Sequence, residues 1–432
     1  MKNKKKVYVA LSADVLHKGH INIIKKASRY GFLIIGLLTD KAIASYKRVP
    51  HLNYKDRETI IKNLKYVDMV VPQMTLDHTK NLNLYKPDYV FHGDDWKSGP
   101  LSQTRRQVIK VLKKWKGKLI EPKYTKNISS QKIKDEMNKI GTTPDIRRAK
   151  LKRLIDAKEI VRVLECHNPI AGLIVENLNY NKHEKWTEFD VMWSSSLTDS
   201  VSRGMPDNQS VDYSTRISGV NEIFNVTTKP LIFDIDNGGQ IEHLKFIVKK
   251  LESSGVSAII MEDKIGLKKN SLFSDQSNVR QESIAKFSQK IKVAKNASIT
   301  EDFLVIARIE SLILGKSIND ALKRAIEYSK AGSDLIMIHS KENNPKKIFE
   351  FSQKFLKTKY AKPLVAVPST YSKTPEKDLI KNGFKIVIYA NHLLRSSYFA
   401  MYQNAEKILR SKRSFEAEKQ MTSIKDIISL IK

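Results

Sequence analysis

Between Glu262 and Ser271 the chain reads Glu262-Asp263-Lys264-Ile265-Gly266-Leu267-Lys268-Lys269-Asn270-Ser271. Carboxylates, ammonium groups, an amide and a hydroxyl crowd into this short run, a density that suits phosphate and metal chemistry. The run follows the apolar segment Val256 to Met261, so Glu262 is expected where a buried strand meets solvent. Further polar residues end the neighbouring apolar segments: Asp234 and Asp236, then Arg308 and Glu310, then His339. Alternate residues on a strand share a face, so Asp234 and Asp236 are expected to point together. Converging carboxylates suit Mg²⁺, which takes oxygen ligands. Arg308 and His339 suit a phosphoryl or carboxylate group. Taken singly, each has a plainer reading: an Asp can cap a helix, Arg308 and Glu310 can form an ordinary ion pair, and His339 can be packed. Their recurrence at the ends of successive strands favours a site.

A second group lies near the N-terminus, at His17-Lys18-Gly19-His20. Two imidazoles between a strand and a helix N-terminus can meet phosphates that the helix dipole also attracts. Gly19 permits close backbone approach. Two surface histidines are the plainer alternative. Gly93-Asp94-Asp95-Trp96, Arg57 and Ile128-Ser129-Ser130 each fall beside a predicted element.

The elements that must hold these groups alternate throughout. From Lys6 to about Ile140 the strands Val7–Ser12, Phe32–Leu38, Asp68–Val71, Tyr89–His92 and Lys118–Ile120 alternate with helices at Gly19–Ser28 and Arg57–Leu64. That pattern predicts one doubly wound α/β domain. Gly141-Thr142-Thr143-Pro144 marks a break, giving domains 1–143 and 144–432. Beyond it, eight apolar strands are expected: Ala171–Val175, Val191–Trp193, Pro230–Phe233, Ala258–Met261, Phe303–Ala307, Asp334–Ile338, Pro363–Val367 and Lys385–Tyr389. Eight strand–helix units make a (β/α)8 barrel, whose chemistry gathers at the C-terminal strand ends.

Composition agrees with two ordinary domains. The 432 residues exceed what one core usually holds, and 41% are hydrophobic. The single Cys166 excludes intrachain disulfides and thiolate-rich metal sites; it is expected before the first barrel strand as a buried thiol. No apolar run reaches membrane length, no signal segment is evident, and a cytoplasmic location is the expectation. The formal charge of +31 is spread along the chain without a basic-aromatic signature or tail. Nucleic acid is therefore not expected as a ligand, whereas small anions are.

The Glu262–Ser271 run fills every specified position of E-D-K-x-x-x-K-x-N-S. With the strand-end residues, it resembles the phosphoenolpyruvate mutase/isocitrate lyase superfamily from roughly Arg147 onward. The resemblance implies roles for Trp193-Ser194-Ser195 and Asp207 at the site. It implies metal binding by Asp234 and Asp236, with Glu262 holding Mg²⁺ through water. It implies a gate loop bearing Lys268 and Asn270, a phosphate group at Ser271, and catalytic Arg308 and His339. The superfamily's lyases carry a Cys in K-K-C-G-H on this loop; none lies here. Phosphonopyruvate hydrolases share most of the site, and Lys268-x-Asn270-Ser271 favours the mutase. The resemblance further implies tetramers or dimers assembled through the segment from Asn391 onward.

Residues 5 to 135 resemble the cytidylyltransferase branch of nucleotidyltransferases, implying a Rossmann-like fold. By that match His17 and His20 stabilise nucleotidyl transfer from CTP, with Mg²⁺, to a phosphonate or alcohol phosphate. Lys47 and Arg57 would meet the triphosphate, Asp94 and Trp96 the nucleotide, and Ser129 and Ser130 would cap a helix beside the phosphates. The family's Thr after the serines is replaced by the run Gln131-Lys132-Ile133-Lys134. A bifunctional mutase–cytidylyltransferase is the leading expectation; a hydrolase, or a mutase with a nucleotide-binding regulatory domain, are the alternatives.

Overall fold

The computed structural model describes residues 4–97, 101–123, 133, 141–182, 185–271, 276 and 278–431. The chain divides into two compact units, one of residues 1–140, 156–158 and 179–187, the other of 141–155, 159–178 and 188–432.

In the first unit, β1 (Lys6–Leu11), β2 (Phe32–Leu38), β3 (Met69–Gln73), β4 (Tyr89–Phe91) and β5 (Lys118–Ile120) make a sheet in the order β3-β2-β1-β4-β5. All its pairs are parallel. Both faces are covered, which is why the central strands read as continuous apolar runs. Val7 and Val9 pack with Ile24 and Ala27 of the helix Lys18–Ser28. Tyr8 and Ala10 pack with Val108 and Val111 of the helix Ser102–Leu112 on the opposite face. Strand order reverses between β1 and β4, and in such folds ligands sit beyond the strand ends at that reversal.

The second unit begins its strands with β6 (Val161–Glu165); β7 (Asn179–Lys182) and β8 (Lys185–Glu188), which come next in the chain, form a separate two-stranded sheet of residues grouped with the first unit up to 187. Then come β9 (Val191–Ser194), β10 (Leu231–Asp234) and β11 (Ala258–Glu262). β12 (Lys264–Ile265) and β13 (Arg280–Gln281) form an antiparallel pair at the stem of the loop that bears the signature run. β14 (Leu304–Ile309), β15 (Leu335–Ile338), β16 (Leu364–Ala366) and β17 (Phe384–Tyr389) complete the set. β6, β9, β10, β11, β14, β15, β16 and β17 close into a parallel barrel, with Ile386 of β17 opposite Val161 of β6.

One expected strand is corrected. Ala171–Val175 lies within a helix, Pro169–Asn177, and the first barrel strand is β6. The helix is set by Asn168, whose side chain accepts from the Ala171 N–H at 2.8 Å, and by Pro169, whose fixed φ suits a first helical turn. The mixed Val161-Arg162-Val163-Leu164-Glu165 hid β6 behind its two charges. Cys166 therefore follows the first strand rather than preceding it, and it is fully buried. Burial pushes its thiol well above the usual range.

Helix starts follow local capping. Ser317 Oγ accepts from the Asp320 N–H at 3.2 Å, opening Ile318–Lys330, which buries Ala321, Ala325 and Tyr328. The helix His392–Ser411 differs, since none of its residues is buried. No helix among the described residues is long and apolar enough to cross a membrane.

Candidate active site

β10 ends at Asp234, and the backbone turns at once. The Asp236 N–H donates to Asp234 Oδ1 at 2.9 Å, and Asp236 takes a left-handed φ of 54°, a conformation that Asp tolerates better than most residues. Its carbonyl then accepts from the Glu262 N–H at 2.7 Å, tying the ends of β10 and β11. The two aspartates do meet one partner, but through this turn and not through strand alternation as expected. Arg216, which sequence reasoning missed, supports the turn: Nη1 donates to the Asp234 carbonyl at 2.7 Å, and Nε to Asp199 at 2.9 Å. It lies mid-helix in Tyr213–Phe224, where nothing in the sequence distinguishes it from a surface cation.

The meeting partner is Lys268. Its Nζ lies 2.5 Å from Asp236 Oδ1, 3.2 Å from Asp207 Oδ1 and 3.8 Å from Asp234 Oδ2, and it also contacts Ser196 Oγ. Burial pulls this ammonium down, but the three aspartates override it and hold it above its ordinary value. Asn270 Nδ2 donates to Asp207 Oδ2 at 2.9 Å, so the loop docks through both its predicted residues.

The carboxylates suit a hard cation. Asp207 Oδ1, Asp236 Oδ1 and Glu262 Oε2 are buried and meet only the ammonium and guanidinium groups paired with them. Burial pushes the Glu262 carboxyl up to about 7, so a nearby cation would favour its ionised form. Among the described residues no three such side chains stand as a finished metal cage. The Lys268 ammonium lies among the carboxylates where such a charge would act. The donor set fits Mg²⁺, and Asp234, Asp236 and Glu262 are the residues that would hold it.

A second cluster faces the same pocket. Arg308, two strands from β10, sits opposite Glu262 across the β11–β14 pair. Its Nε donates to Glu310 Oε1 at 2.5 Å, and its Nη2 lies 2.9 Å from both Ser271 Oγ and His339 Nδ1. Ser271 lines the pocket and is hydrogen-bonded on every side. Its hydroxyl donates to Glu310 Oε2 at 2.6 Å and accepts from Arg308 and, at 2.7 Å, from Lys264 Nζ. One proton and two lone pairs are thereby engaged with protein partners. Lys264 and Glu310 are partners whose role was not read from the sequence. Asp263 lies behind them, accepting from Arg324, Tyr328, Gln281 and the Glu310 N–H. It anchors the loop stem.

The pocket between the two clusters is lined by Trp193, Ser195, Asp234, Lys268, Asn270, Ser271, Arg308 and His339, with Met337 and Val367 among its apolar wall. Each barrel residue expected at the site thus belongs to one pocket or its immediate support.

In the first unit, His17 caps the helix Lys18–Ser28 by accepting from the Gly19 N–H through Nδ1 at 3.0 Å. The Nε2 of neutral His17 therefore carries the proton. The His20 ring lies 4.1 Å from it. Burial, with His17 and Lys47 nearby, pulls His20 down to about 4. Lys47 Nζ reaches Ser12 Oγ at 3.3 Å, beyond the end of β1. Asp94 and Trp96 follow β4, so they share the sheet's reversal point. Trp96 is buried, His92 stacks on it at 3.8 Å, and its Nε1 donates to Glu121. Arg57 stands at the same strand ends, beneath Ser12. It is wholly buried and donates to the carbonyls of Ser12, Leu38 and Leu52 and to Asp40, a structural tie between loops. Ser129 and Ser130 lie outside the described residues.

Comparison with known proteins identifies the two domains. The family described as phosphoenolpyruvate phosphomutase matches residues 151–409, and the cytidylyltransferase-like family matches residues 12–136. A phosphoenolpyruvate phosphomutase of Tetrahymena pyriformis is 34% identical over 65% of this chain and 89% of its own length. A phosphonopyruvate hydrolase of Variovorax sp. is 34% identical over 65% of this chain and 93% of its own. The solved phosphonopyruvate hydrolase complex with oxalate and Mg²⁺ is 31% identical, covers 67% of this chain and 95% of that one, and has a TM-score of 0.58. With more than half its length matched, the chain belongs to the phosphoenolpyruvate phosphomutase family of enzymes and carries a cytidylyltransferase-like domain before its barrel.

Proposed function

We propose that the barrel interconverts phosphoenolpyruvate and phosphonopyruvate, forming the carbon–phosphorus bond of phosphonate biosynthesis. The observation that carries this reading is the convergence of Arg308 and His339 with the loop residues Lys268 and Asn270 on one pocket. No thiol lines it, so the lyase chemistry of a loop cysteine has no residue here. The phosphoryl group leaves the enol oxygen, whose electrons remain with the pyruvate enolate, and is captured by C3. Such a loose transfer needs positioning and charge more than a nucleophile. Mg²⁺, when bound by Asp234, Asp236 and Glu262, supplies positive charge opposite the enolate and carboxylate. Arg308, His339 and Asn270 hold the migrating group, Trp193 and Ser195 wall the pyruvate, and the docked loop excludes water. Oxalate, as an enolate mimic, is expected to occupy the pyruvate end.

Purified protein with phosphonopyruvate and Mg²⁺ is followed by ³¹P NMR. Phosphoenolpyruvate appearing supports the mutase, whereas inorganic phosphate with pyruvate identifies a hydrolase. The equal identity to relatives of both kinds makes the hydrolase the second reading.

The first domain is proposed to transfer cytidylyl from CTP, with Mg²⁺, to a phosphonate or alcohol phosphate. Support comes from the paired His17 and His20 at a helix N-terminus with Lys47 nearby. Ser129 and Ser130 are proposed beside the phosphates, and Asp94 and Trp96 at the nucleotide pocket. Pyrophosphate release from CTP tests this. Its absence, with CTP still bound, indicates a regulatory domain. Assembly is proposed through the helix His392–Ser411, which exposes Tyr398, Phe399, Met401 and Tyr402.

A further inference from the structure

Glu310 has no exposed surface, yet both of its carboxylate oxygens are engaged by polar groups at the barrel mouth. Oε1 accepts from Arg308 Nε at 2.5 Å and lies 3.0 Å from His339 Nδ1. Oε2 accepts from Ser271 Oγ at 2.6 Å and stands 3.3 Å from Lys264 Nζ. Its backbone N–H donates to Asp263 at 2.9 Å, so the main chain is fixed as well as the carboxylate. Burial alone would push this carboxyl up, but Arg308, His339 and Lys264 hold it well below the usual range. It is therefore a permanent anion among cations.

These contacts have a common consequence. Arg308 Nε is turned to Glu310, which fixes the plane of the guanidinium and aims its remaining edge. The Nδ1 side of His339 is shared between Glu310 and Arg308, leaving the Nε2 edge to meet a ligand. Ser271 and the Lys269 carbonyl, which accepts from Lys264 at 3.0 Å, belong to the catalytic loop. Through Ser271 and Lys264, the same carboxylate joins the loop's base to the anion-binding groups. Glu310 itself does not line the pocket.

We propose that Glu310 is a positioning residue for phosphoryl transfer, acting through Arg308, His339 and Ser271. This rests on the reading of the barrel as a phosphoryl-transfer site. The carboxylate presets the Arg308 plane and the His339 ring before substrate arrives, so those groups need not reorganise as charge moves. It also stands between the Arg308 guanidinium and the Lys264 ammonium and offsets the repulsion between them.

The test is Glu310→Gln, which keeps shape and removes charge. Turnover of phosphonopyruvate at saturation is expected to fall about 10- to 100-fold. Mg²⁺-dependent oxalate binding, measured by calorimetry, stays as in the wild type, because that end of the pocket is held by other residues. Equal loss of oxalate binding and turnover, with a lowered melting temperature, shows a merely structural role and overturns the proposal. Unchanged turnover also overturns it. A second measurement does not depend on the reaction. In ¹⁵N-histidine-labelled protein the His339 signals, identified by their loss in His339→Gln, should shift in Glu310→Gln. Unshifted signals overturn the positioning role. A wild type inactive on phosphonopyruvate with shifted His339 signals sinks the functional reading and leaves the positioning of His339 standing.

Discussion

Lys268 Nζ stands 2.5 Å from Asp236 Oδ1, an ion pair between the catalytic loop and the turn after β10. A loop residue is thus held by carboxylates that also fit a divalent cation. Replacing it with methionine leaves those carboxylates without their ammonium partner. Turnover in Lys268→Met is expected to fall about 100- to 1,000-fold. Mn²⁺ affinity, followed by electron paramagnetic resonance, should not weaken, since the competing positive charge is gone. Weaker Mn²⁺ binding would contradict this arrangement.

Removal of divalent cations by EDTA should abolish turnover, and Mg²⁺ should restore it. Asp234→Asn is expected to lose that rescue while its circular dichroism spectrum stays native. Full activity in EDTA would show that the carboxylates serve only Lys268 and Arg216.

Cys166 is buried, with its thiol pushed well up by that burial, and it lies outside the pocket lining. The native enzyme should resist iodoacetamide, and Cys166→Ala should retain wild-type turnover. Rapid alkylation with loss of activity would place the thiol in the chemistry after all.

His78 in the first unit is buried, which pulls its imidazole down to about 4. The unfolded chain binds this proton near pH 6.5, the folded chain only near 4, so acid favours unfolding between those values. Stability is whole above the unfolded value and falls as pH drops, by about 2 kcal/mol at about pH 5. His78→Gln should therefore lose less melting temperature between neutral and mildly acidic buffer than the wild type. An equal loss in both would refute the assignment.

The exposed Tyr398 and Phe399 of the helix His392–Ser411 are 66% accessible each. Large apolar side chains at such exposure on one helix mark a surface fitted for assembly. Tyr398→Lys with Phe399→Lys should lower the mass measured by sedimentation, without changing the barrel's helical signal. An unchanged mass would exclude this helix as the assembly surface.

Much of this architecture was legible because strands buried on both faces leave continuous apolar runs, as Ala258–Met261 does. β6 was hidden because Arg162 and Glu165 break its run; Arg162 is satisfied by Glu376, a partner far along the chain. The signature run disclosed Lys268 and Asn270, whose side chains meet Asp207 and its neighbours. It did not disclose that Ser271 is bound to Glu310 and Lys264, because that contact depends on how β14 and the loop stem are brought together. Arg57 looked like a phosphate ligand by position, and it is held by three backbone carbonyls, which no side-chain pattern reveals, and by Asp40.

The placement of Arg308 on β14 bears on how the barrel is assembled. In the native alignment Glu262 stands opposite Arg308, and Ile309 opposite Ile338. Sliding β14 by a single position would turn Ile309 toward the mouth and drive Arg308 into the apolar layer between strands and helices. An unpaired buried guanidinium is far costlier than a misplaced isoleucine. The charges that serve catalysis therefore also proofread the folding of the sheet, rejecting frame-shifted barrels that hydrophobic packing alone would tolerate.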